Sequence, residues 1–292
     1  MASLFTDRRG RFSWVRTLAL AVLVAPGLRL FVLWLIGGLG GRPIREFTHG
    51  TGDWTIYFLL TSLAITPLRA VLDWQFLTPL RRRIGVAAAC YAGLHFSLYV
   101  IDQKFNLLHV ASEIALRFYL TIGFCVFLGL LTLAITSTDA WVQKLGTRWK
   151  KLHRLAYPLA AFGLFHYFLQ SKSDVSPAVF VAGLYLWEML WRVQPRAWRA
   201  RWWPLFGMAF AAALATALIE ALWYGLATKI DPFAVLQANL EPQYGLRPAA
   251  FVWASGIVVS LYALVVRWRK SASLSAGGGG NQRGPRGVES SL

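Results

Sequence analysis

The sequence predicts an all-α integral membrane protein, a bundle of about eight transmembrane helices with both termini in the cytoplasm. Three observations predict it. Of the 292 residues, 57% are hydrophobic and only 15% are charged, whereas soluble domains are about 45–50% apolar and about 25% charged. Eight apolar stretches approach the roughly 20 residues that a membrane-spanning helix needs. Lysine and arginine are concentrated in alternate connecting segments, as they are in membrane proteins of fixed orientation.

The predicted spans follow one another along the chain. The first contains Pro26, Gly27 and Arg29, which predict a kink or a tilt. The fifth and sixth are short, and Pro158 lies near the start of the fifth. No two-residue alternation is present, which argues against a transmembrane barrel. The approximate ranges are 17–36, 54–72, 84–101, 115–136, 155–170, 177–193, 205–228 and 248–266.

The first span is interpreted as a retained anchor. Arg8 and Arg9 loosely resemble a twin-arginine signal. However, the following apolar run of about 20 residues is longer than the 7–15 residues of a signal peptide, and no clean cleavage site follows it.

The basic residues fix the predicted topology. With the N-terminus inside, 22 of the 30 lysines and arginines are cytoplasmic, seven are outside, and Arg29 lies within a span. The seven outer ones are balanced by acidic residues in the same segments, so the positive excess is on the inner face. The cytoplasmic set is Arg8, Arg9, Arg11, Arg16, Arg69, Arg81, Arg82, Arg83, Lys144, Arg148, Lys150, Lys151, Arg154, Arg192, Arg196, Arg199, Arg201, Arg267, Arg269, Lys270, Arg283 and Arg286. The outer set is Arg42, Arg45, Lys104, Arg117, Lys172, Lys229 and Arg247.

Four regions are predicted. Residues 1–16 form a cytoplasmic N-terminal segment, 17–193 a transmembrane core, 194–270 two additional transmembrane helices, and 271–292 a disordered, Ser-, Gly- and Arg-rich tail. The net charge of +17 does not indicate nucleic acid, because the basic residues lie between apolar runs and not on a polar surface.

Several kinds of chemistry are excluded by missing motifs. No phosphate-binding loop or dinucleotide fingerprint occurs, so redox chemistry here lacks a built-in nicotinamide-binding module. The two cysteines, Cys90 and Cys125, lie in apolar runs. They argue against a disulfide framework and against a cysteine-ligated zinc or iron–sulfur site.

Two histidines are predicted at the same depth in the membrane. His95 follows Arg83 by 12 residues, and His166 follows Arg154 by 12 residues, on spans that run in the same direction. At 1.5 Å per residue each is roughly 18 Å above the inner boundary. Two imidazoles facing each other at one level are what axial ligation of a haem iron requires. Nearby aromatic residues supply an apolar pocket: Tyr91, Phe96, Tyr99, Phe162, Phe165 and Tyr167.

A third histidine suggests a second haem, but without a matching partner. His153 lies 13 residues before His166, roughly 20 Å along a helix. The equivalent position before His95 is Arg82, which carries topology charge or pairs with the anionic groups of a cofactor. His153 therefore ligates alone, shares its site with another ligand, or has a different role, and the number of haems stays open at one or two.

The remaining ionisable residues carry weaker expectations. His109 is expected to be solvated in an outer loop, and His49 to lie in the outer loop near a quinone or haem-propionate site or to have no special role. Glu188 and Glu220 lie within spans without an evident partner, and a proton-relay role for them is the weakest of these hypotheses.

Residues from about 41 to 193 resemble the MsrQ family, the haem-binding membrane subunits of bacterial protein-methionine-sulfoxide reductase systems. That family is part of the ferric-reductase-like transmembrane superfamily. The resemblance is carried by motifs that are specific in combination and order, namely His49–Gly52, Leu63–Leu68, Arg82–Gly85 with Leu94 and His95, Leu133–Thr138, Leu145–Tyr157, and His166 with Tyr167.

The resemblance implies a function. Members pass electrons from membrane quinones through haem b to MsrP, a periplasmic molybdopterin-containing subunit that reduces methionine sulfoxide in oxidised proteins. The MsrQ subunit is thus an electron carrier of the bacterial inner membrane and not itself the reductase. Family members are also described as carrying FMN. By resemblance, His95, His153 and His166 are the haem-associated histidines.

Two alternatives remain open, and one departure is evident. The first alternative is a haem-containing ferric reductase or quinol-linked oxidoreductase with another acceptor. The second is a transporter or assembly protein in which the histidines only form hydrogen bonds. The departure is the segment after Val193, which adds two spans to a six-span family core and contains no histidine.

Overall fold

The computed structural model describes residues 11–171, 174–241, 243 and 245–277, with the backbone alone over 270–277. Across this part of the chain the long elements are all α-helices. They are α1 (Trp14–Leu35), α2 (Pro43–Leu72), α3 (Leu80–Asp102), α4 (Leu107–Leu116), α5 (Phe118–Ile135), α6 (Asp139–Leu145), α7 (Thr147–Leu152), α8 (Ala156–Gln170), α9 (Ser176–Val193), α10 (Trp202–Thr228), α11 (Pro232–Leu240) and α12 (Pro248–Gly277).

The membrane class of the fold is confirmed. Six of the described helices, α1, α2, α3, α5, α10 and α12, are long and apolar enough to cross a membrane. The predicted fifth and sixth spans are also helical, as α8 and α9, but they are not among these six. The eight-span count therefore stays a prediction.

Helix α2 occupies the centre of the bundle. It packs against α3 over most of its length, and α5 packs against α8 in the same antiparallel manner. The largest buried cluster joins these four helices, with Leu63 only 1% exposed and Ala88 and Ala160 fully buried. Helices α9, α10 and α12 form a second group beside α2. The two ends of the bundle are named here the α4 end and the α6–α7 end.

Pro67 leaves one backbone carbonyl of α2 without its usual helical hydrogen bond, and a side chain of another helix replaces the missing donor. Because proline has no N–H, it cannot donate to the carbonyl of Leu63 four residues earlier. The guanidinium of Arg192 on α9 donates to that carbonyl at 2.7 Å. The same guanidinium donates to the Glu188 carbonyl at 2.6 Å and lies over the Tyr157 ring. Arg192 thereby joins α2, α8 and α9 at one point.

Helix α1 has the predicted irregularity at Pro26, and a tyrosine hydroxyl bridges the backbone groups that are left unpaired there. In a regular helix the Gly27 N–H would donate to the Leu23 carbonyl. Instead Gly27 donates to the Tyr91 hydroxyl at 2.7 Å, and that hydroxyl donates to the Leu23 carbonyl at 3.0 Å. The phenol is inserted into the helical ladder, so α1 is attached to α3 one turn before His95.

The structure differs from the sequence-based expectations at two connecting segments. His49 was expected in a loop, but it lies on α2, which begins at Pro43, because proline is favourable in the first helical turn. His109 is exposed as expected, yet on the short helix α4, whose N-terminus is capped by Asn106. At a third segment, the Thr138 side chain caps α6.

The chain termini also bear on the predicted regions. Helix α1 begins at Trp14, and α12 continues to Gly277, so residues 271–277 of the predicted tail are helical. The remaining tail, 278–292, and the N-terminal residues 1–10 lie outside the described residues, as does Lys172.

Replacing Arg192 by methionine is expected to destabilise the bundle. The Leu63 carbonyl and the Glu188 carboxylate would lose a partner in a buried position, at a cost of about 1–3 kcal/mol. The thermal midpoint of the detergent-purified protein should fall by several degrees. Arg196→Met, at an exposed site beyond the end of the same helix, should leave the midpoint unchanged. Equal midpoints for the two variants would contradict this account.

Candidate functional site

His95 on α3 and His166 on α8 face each other across the bundle. Their ring centroids are 6.5 Å apart and their planes cross at 89°. The two rings therefore lie close to each other, as expected, while their depth in a membrane stays a prediction. The two helices are brought together by α2 and α5, which lie on either side of the pair and supply the backbone that orients it.

Each ring is oriented by one backbone carbonyl. The His95 Nδ1 is 2.8 Å from the Thr48 carbonyl oxygen on α2, and the His166 Nδ1 is 2.8 Å from the Tyr119 carbonyl oxygen on α5. A carbonyl can only accept, so each Nδ1 carries the proton. The Nε2 atom of each neutral ring then keeps its lone pair, which is the arrangement of a metal-ligating histidine.

A cavity of about 590 Å³ surrounds the pair. Its volume lies within the range of about 300–1,000 Å³ that is usual for ligand and cofactor sites. The deeper part is apolar and aromatic, with Phe96, Phe124, Phe127 and Leu130. Towards the α4 end the lining becomes polar and charged, with Arg45, His49, Asp102, Glu113 and Arg117. A ligand with one flat apolar body and one anionic edge matches this gradient.

The spacing of the rings suits a metal ion between them. Two metal–nitrogen bonds of about 2 Å, together with roughly 1 Å from each nitrogen to its ring centre, give a centroid separation of about 6 Å. The 6.5 Å found here is close to this value. Among the described residues, no cluster of three or more metal-binding side chains occurs.

His153 lies away from this cavity, at the α6–α7 end. It begins a 3-10 turn, 153–155, that separates α7 from α8, so it is not on one continuous helix with His166. Its ring stacks on Trp149 at 3.9 Å, and both nitrogens have partners, the Trp149 carbonyl at 3.2 Å and the Ser137 hydroxyl at 3.3 Å. Burial lowers the pKa of His153, which favours the neutral ring.

Arg82 lies at the same end of the bundle. Its guanidinium forms an ion pair of 2.6 Å with Asp139, the first residue of α6, and both side chains are largely exposed. The pair connects α3 to α6. A contact between Arg82 and a cofactor would have to compete with this bond.

The other predicted residues have separate roles. Phe96, Tyr99 and Tyr167 line the cavity as expected, whereas Phe162 and Phe165 are exposed. The Tyr91 hydroxyl is instead hydrogen-bonded to the backbone of α1.

The two buried glutamates do have partners. Glu188 pairs with Arg192 at 3.6 Å. Glu220 pairs with Arg247 at 3.3 Å and accepts a hydrogen bond from Asn239 at 2.9 Å.

Four site residues were not singled out from the sequence. Thr48 and Tyr119 contribute only their carbonyls, and Gly52 and Gly123 lie against the imidazole rings. A backbone acceptor has no side-chain signature. The two glycines did offer a signal, because glycine within a helix is unfavourable by about 1 kcal/mol relative to alanine.

Comparisons with known proteins agree with this geometry. Residues 51–164 match the family model described as "Ferric reductase like transmembrane component". The chain is 40% identical over 191 residues to the protein-methionine-sulfoxide reductase heme-binding subunit MsrQ of Herminiimonas arsenicoxydans, covering 63% of this chain and 88% of that protein. The chain belongs to the MsrQ family. The MsrQ of Rhodospirillum rubrum is 41% identical over 200 residues, covering 67% and 92% of the two chains.

The comparisons also mark what is additional in this MsrQ family member. The MsrQ of Deinococcus radiodurans is 42% identical over 150 residues, which is half of this chain and 74% of that protein. These relatives match over half to two thirds of this chain, so a substantial part of it lies outside each alignment. No solved structure matches the chain.

The stability of the protein should depend on pH through His153. Because burial lowers its folded-state pKa below the unfolded value of 6.5, the folded chain binds this proton less readily than the unfolded chain does. Stability is therefore full above pH 6.5 and falls as the pH drops through the folded pKa. The thermal midpoint should decline less between pH 7.5 and pH 5.5 in His153→Phe than in the wild type. Parallel declines would mean that His153 does not titrate in this way.

Proposed function

We propose that this chain holds haem b between His95 and His166 and carries electrons across the membrane as part of a methionine-sulfoxide reductase system. The observation that supports this most directly is the facing pair of neutral imidazoles, 6.5 Å apart. The relatives are named heme-binding subunits, which agrees with this proposal. The cavity gradient suits a porphyrin, with its apolar macrocycle towards Phe96 and Phe127 and its propionates towards Arg45 and Arg117.

The haem supplies a one-electron couple, and the protein fixes its position and environment. His95 and His166 would both bind the haem iron, which would leave no iron site open for oxygen or substrate and would favour electron transfer. Each Nδ1–H donates a hydrogen bond to the Thr48 or Tyr119 carbonyl, which makes the imidazole a stronger metal ligand through Nε2. The aromatic lining excludes water from the deeper part of the cavity.

The proposed topology follows from the charges. We assign the α6–α7 end to the cytoplasm because Lys144, Arg148, Lys150 and Lys151 lie on these two helices. The α4 end is then periplasmic, both termini are cytoplasmic, and α8 and α9 complete eight spans in the bacterial inner membrane. In this orientation the polar mouth of the cavity opens to the periplasm.

We propose that the electrons come from membrane quinones and leave to MsrP, the periplasmic molybdopterin-containing subunit. Residues 17–193 form the ferric-reductase-like core that does this, and 194–270 add two spans. The periplasmic mouth gives MsrP a short route to the haem. The family resemblance also implies FMN as a second cofactor.

We further propose one haem per chain. A second haem at His153 would require its Nε2 to leave Ser137, and the equivalent position on α3 is Arg82. His153 and Arg82 then act at the cytoplasmic end, where they connect helices α5 to α8 and α3 to α6.

Spectroscopy tests the haem assignment. The purified wild type should show haem b bands and about one haem iron per chain. His95→Ala and His166→Ala should each lose these bands, because one imidazole is insufficient for the six-coordinate haem. His109→Ala, at an exposed histidine, is the matched control and should retain them. Haem b bands that survive both ligand substitutions would refute the assignment.

Electron delivery tests the partner. In membranes supplied with a quinol, MsrP should be reduced, and methionine sulfoxide consumed, only when this chain is present. His166→Ala should lower the rate at least tenfold, whereas His109→Ala should not. If another acceptor were reduced at the wild-type rate while MsrP was not, the ferric-reductase or other quinol-linked alternative would replace this proposal.

A further inference from the structure

Each ligand ring lies against a glycine of the neighbouring helix. A methyl group built on Gly123 would be 2.6 Å from Cε1, 2.8 Å from Nδ1 and 3.0 Å from Nε2 of His166. A methyl group on Gly52 would be 3.0 Å from Nδ1 and 3.1 Å from Cε1 of His95. A side chain at Gly123 would therefore require the His166 ring to move. A side chain at Gly52 would make a tight contact that the His95 ring could relieve by moving a few tenths of an ångström.

The same local arrangement occurs twice. On α2 the glycine follows the accepting carbonyl by four residues, from Thr48 to Gly52, and on α5 by four residues, from Tyr119 to Gly123. Each carbonyl and its histidine are 47 residues apart. In each case one helix, α2 or α5, provides a carbonyl acceptor and, one turn later, a flat backbone surface at a glycine. The imidazole of the facing helix, α3 or α8, fits against both.

Other helical glycines contact a different kind of group. A methyl group on Gly50 or Gly129 would meet the aliphatic side chains of Leu30 or Leu159. Those contacts serve helix packing. Among the helical glycines described, only Gly52 and Gly123 have a histidine ring as the nearest group.

We propose that Gly52 and Gly123 are positioning residues that fix the imidazole planes of His95 and His166, and through them the electronic structure and reduction potential of the haem. This inference rests on the proposed haem site. A ring with one hydrogen bond to a carbonyl still has freedom to rotate about that bond. The glycine surface removes this freedom, and the two locked rings cross at 89°. Crossed ligand planes give a ferric low-spin haem a larger maximal g value than parallel planes do.

The test is electron paramagnetic resonance and redox titration of purified full-length protein. Gly123→Ala should lower the maximal g value and shift the midpoint potential, because the methyl group must turn or displace the His166 ring. Gly52→Ala should change both in the same sense by less, since its contacts are 3.0–3.1 Å. Gly93→Ala is the control on the His95 helix. Its methyl group would meet only Phe127, at 3.9 Å, so both readouts should remain at wild-type values.

Each outcome has a defined meaning. If haem is present in the wild type but Gly123→Ala and Gly52→Ala both keep its g value and potential, the positioning role is wrong while the haem site stands. If Gly123→Ala does not retain haem, Gly52→Ala decides by the same readouts. If the wild type holds no haem b, the proposed function and this inference are both overturned.

Discussion

The structure depends on the pairing of backbone polar groups that lie where water is absent. In hydrocarbon, an unpaired carbonyl costs several kcal/mol. Carbonyls that lack a donor within their own helix are therefore paired with side-chain donors from neighbouring helices. Arg192 completes α2 at the Leu63 carbonyl, and Tyr91 completes α1 at the Leu23 carbonyl. His95 and His166, the proposed haem ligands, use the same interaction, because each places its Nδ1 on a carbonyl of another helix. Fold and site are thus built by one kind of bond.

This interaction also decides the chemistry of the histidines. Bonding of Nδ1 to a carbonyl fixes the neutral tautomer and directs Nε2 into the cavity. A histidine that only joined two helices would have no need for a second imidazole 6.5 Å away or for a cavity of about 590 Å³ beside it. The combination supports the proposed haem site over a role in which the histidines form only hydrogen bonds.

The additional C-terminal helices bear on the site indirectly. Phe168, on the last turn of α8, packs against Trp223 of α10 with ring centroids 5.2 Å apart. Tyr167, which lines the cavity beside His166, is packed into the same cluster. The added helices therefore support the helix that carries one ligand. Their own polar cluster is built on the fully buried Glu220, which pairs with Arg247 and accepts a hydrogen bond from Asn239. None of these three residues lines the cavity.

The sequence by itself determined the membrane class and the approximate positions of the helices, and it predicted that His95 and His166 would face each other. These follow from apolar length, basic charge and the fixed rise of a helix, all of which are local. The tertiary structure decided that α2 begins at Pro43, that His153 contacts Trp149 and Ser137, and that Gly52 and Gly123 lie against the rings of His95 and His166. Local pattern does not contain these facts, because a backbone carbonyl or an absent side chain becomes a site only when another helix approaches it.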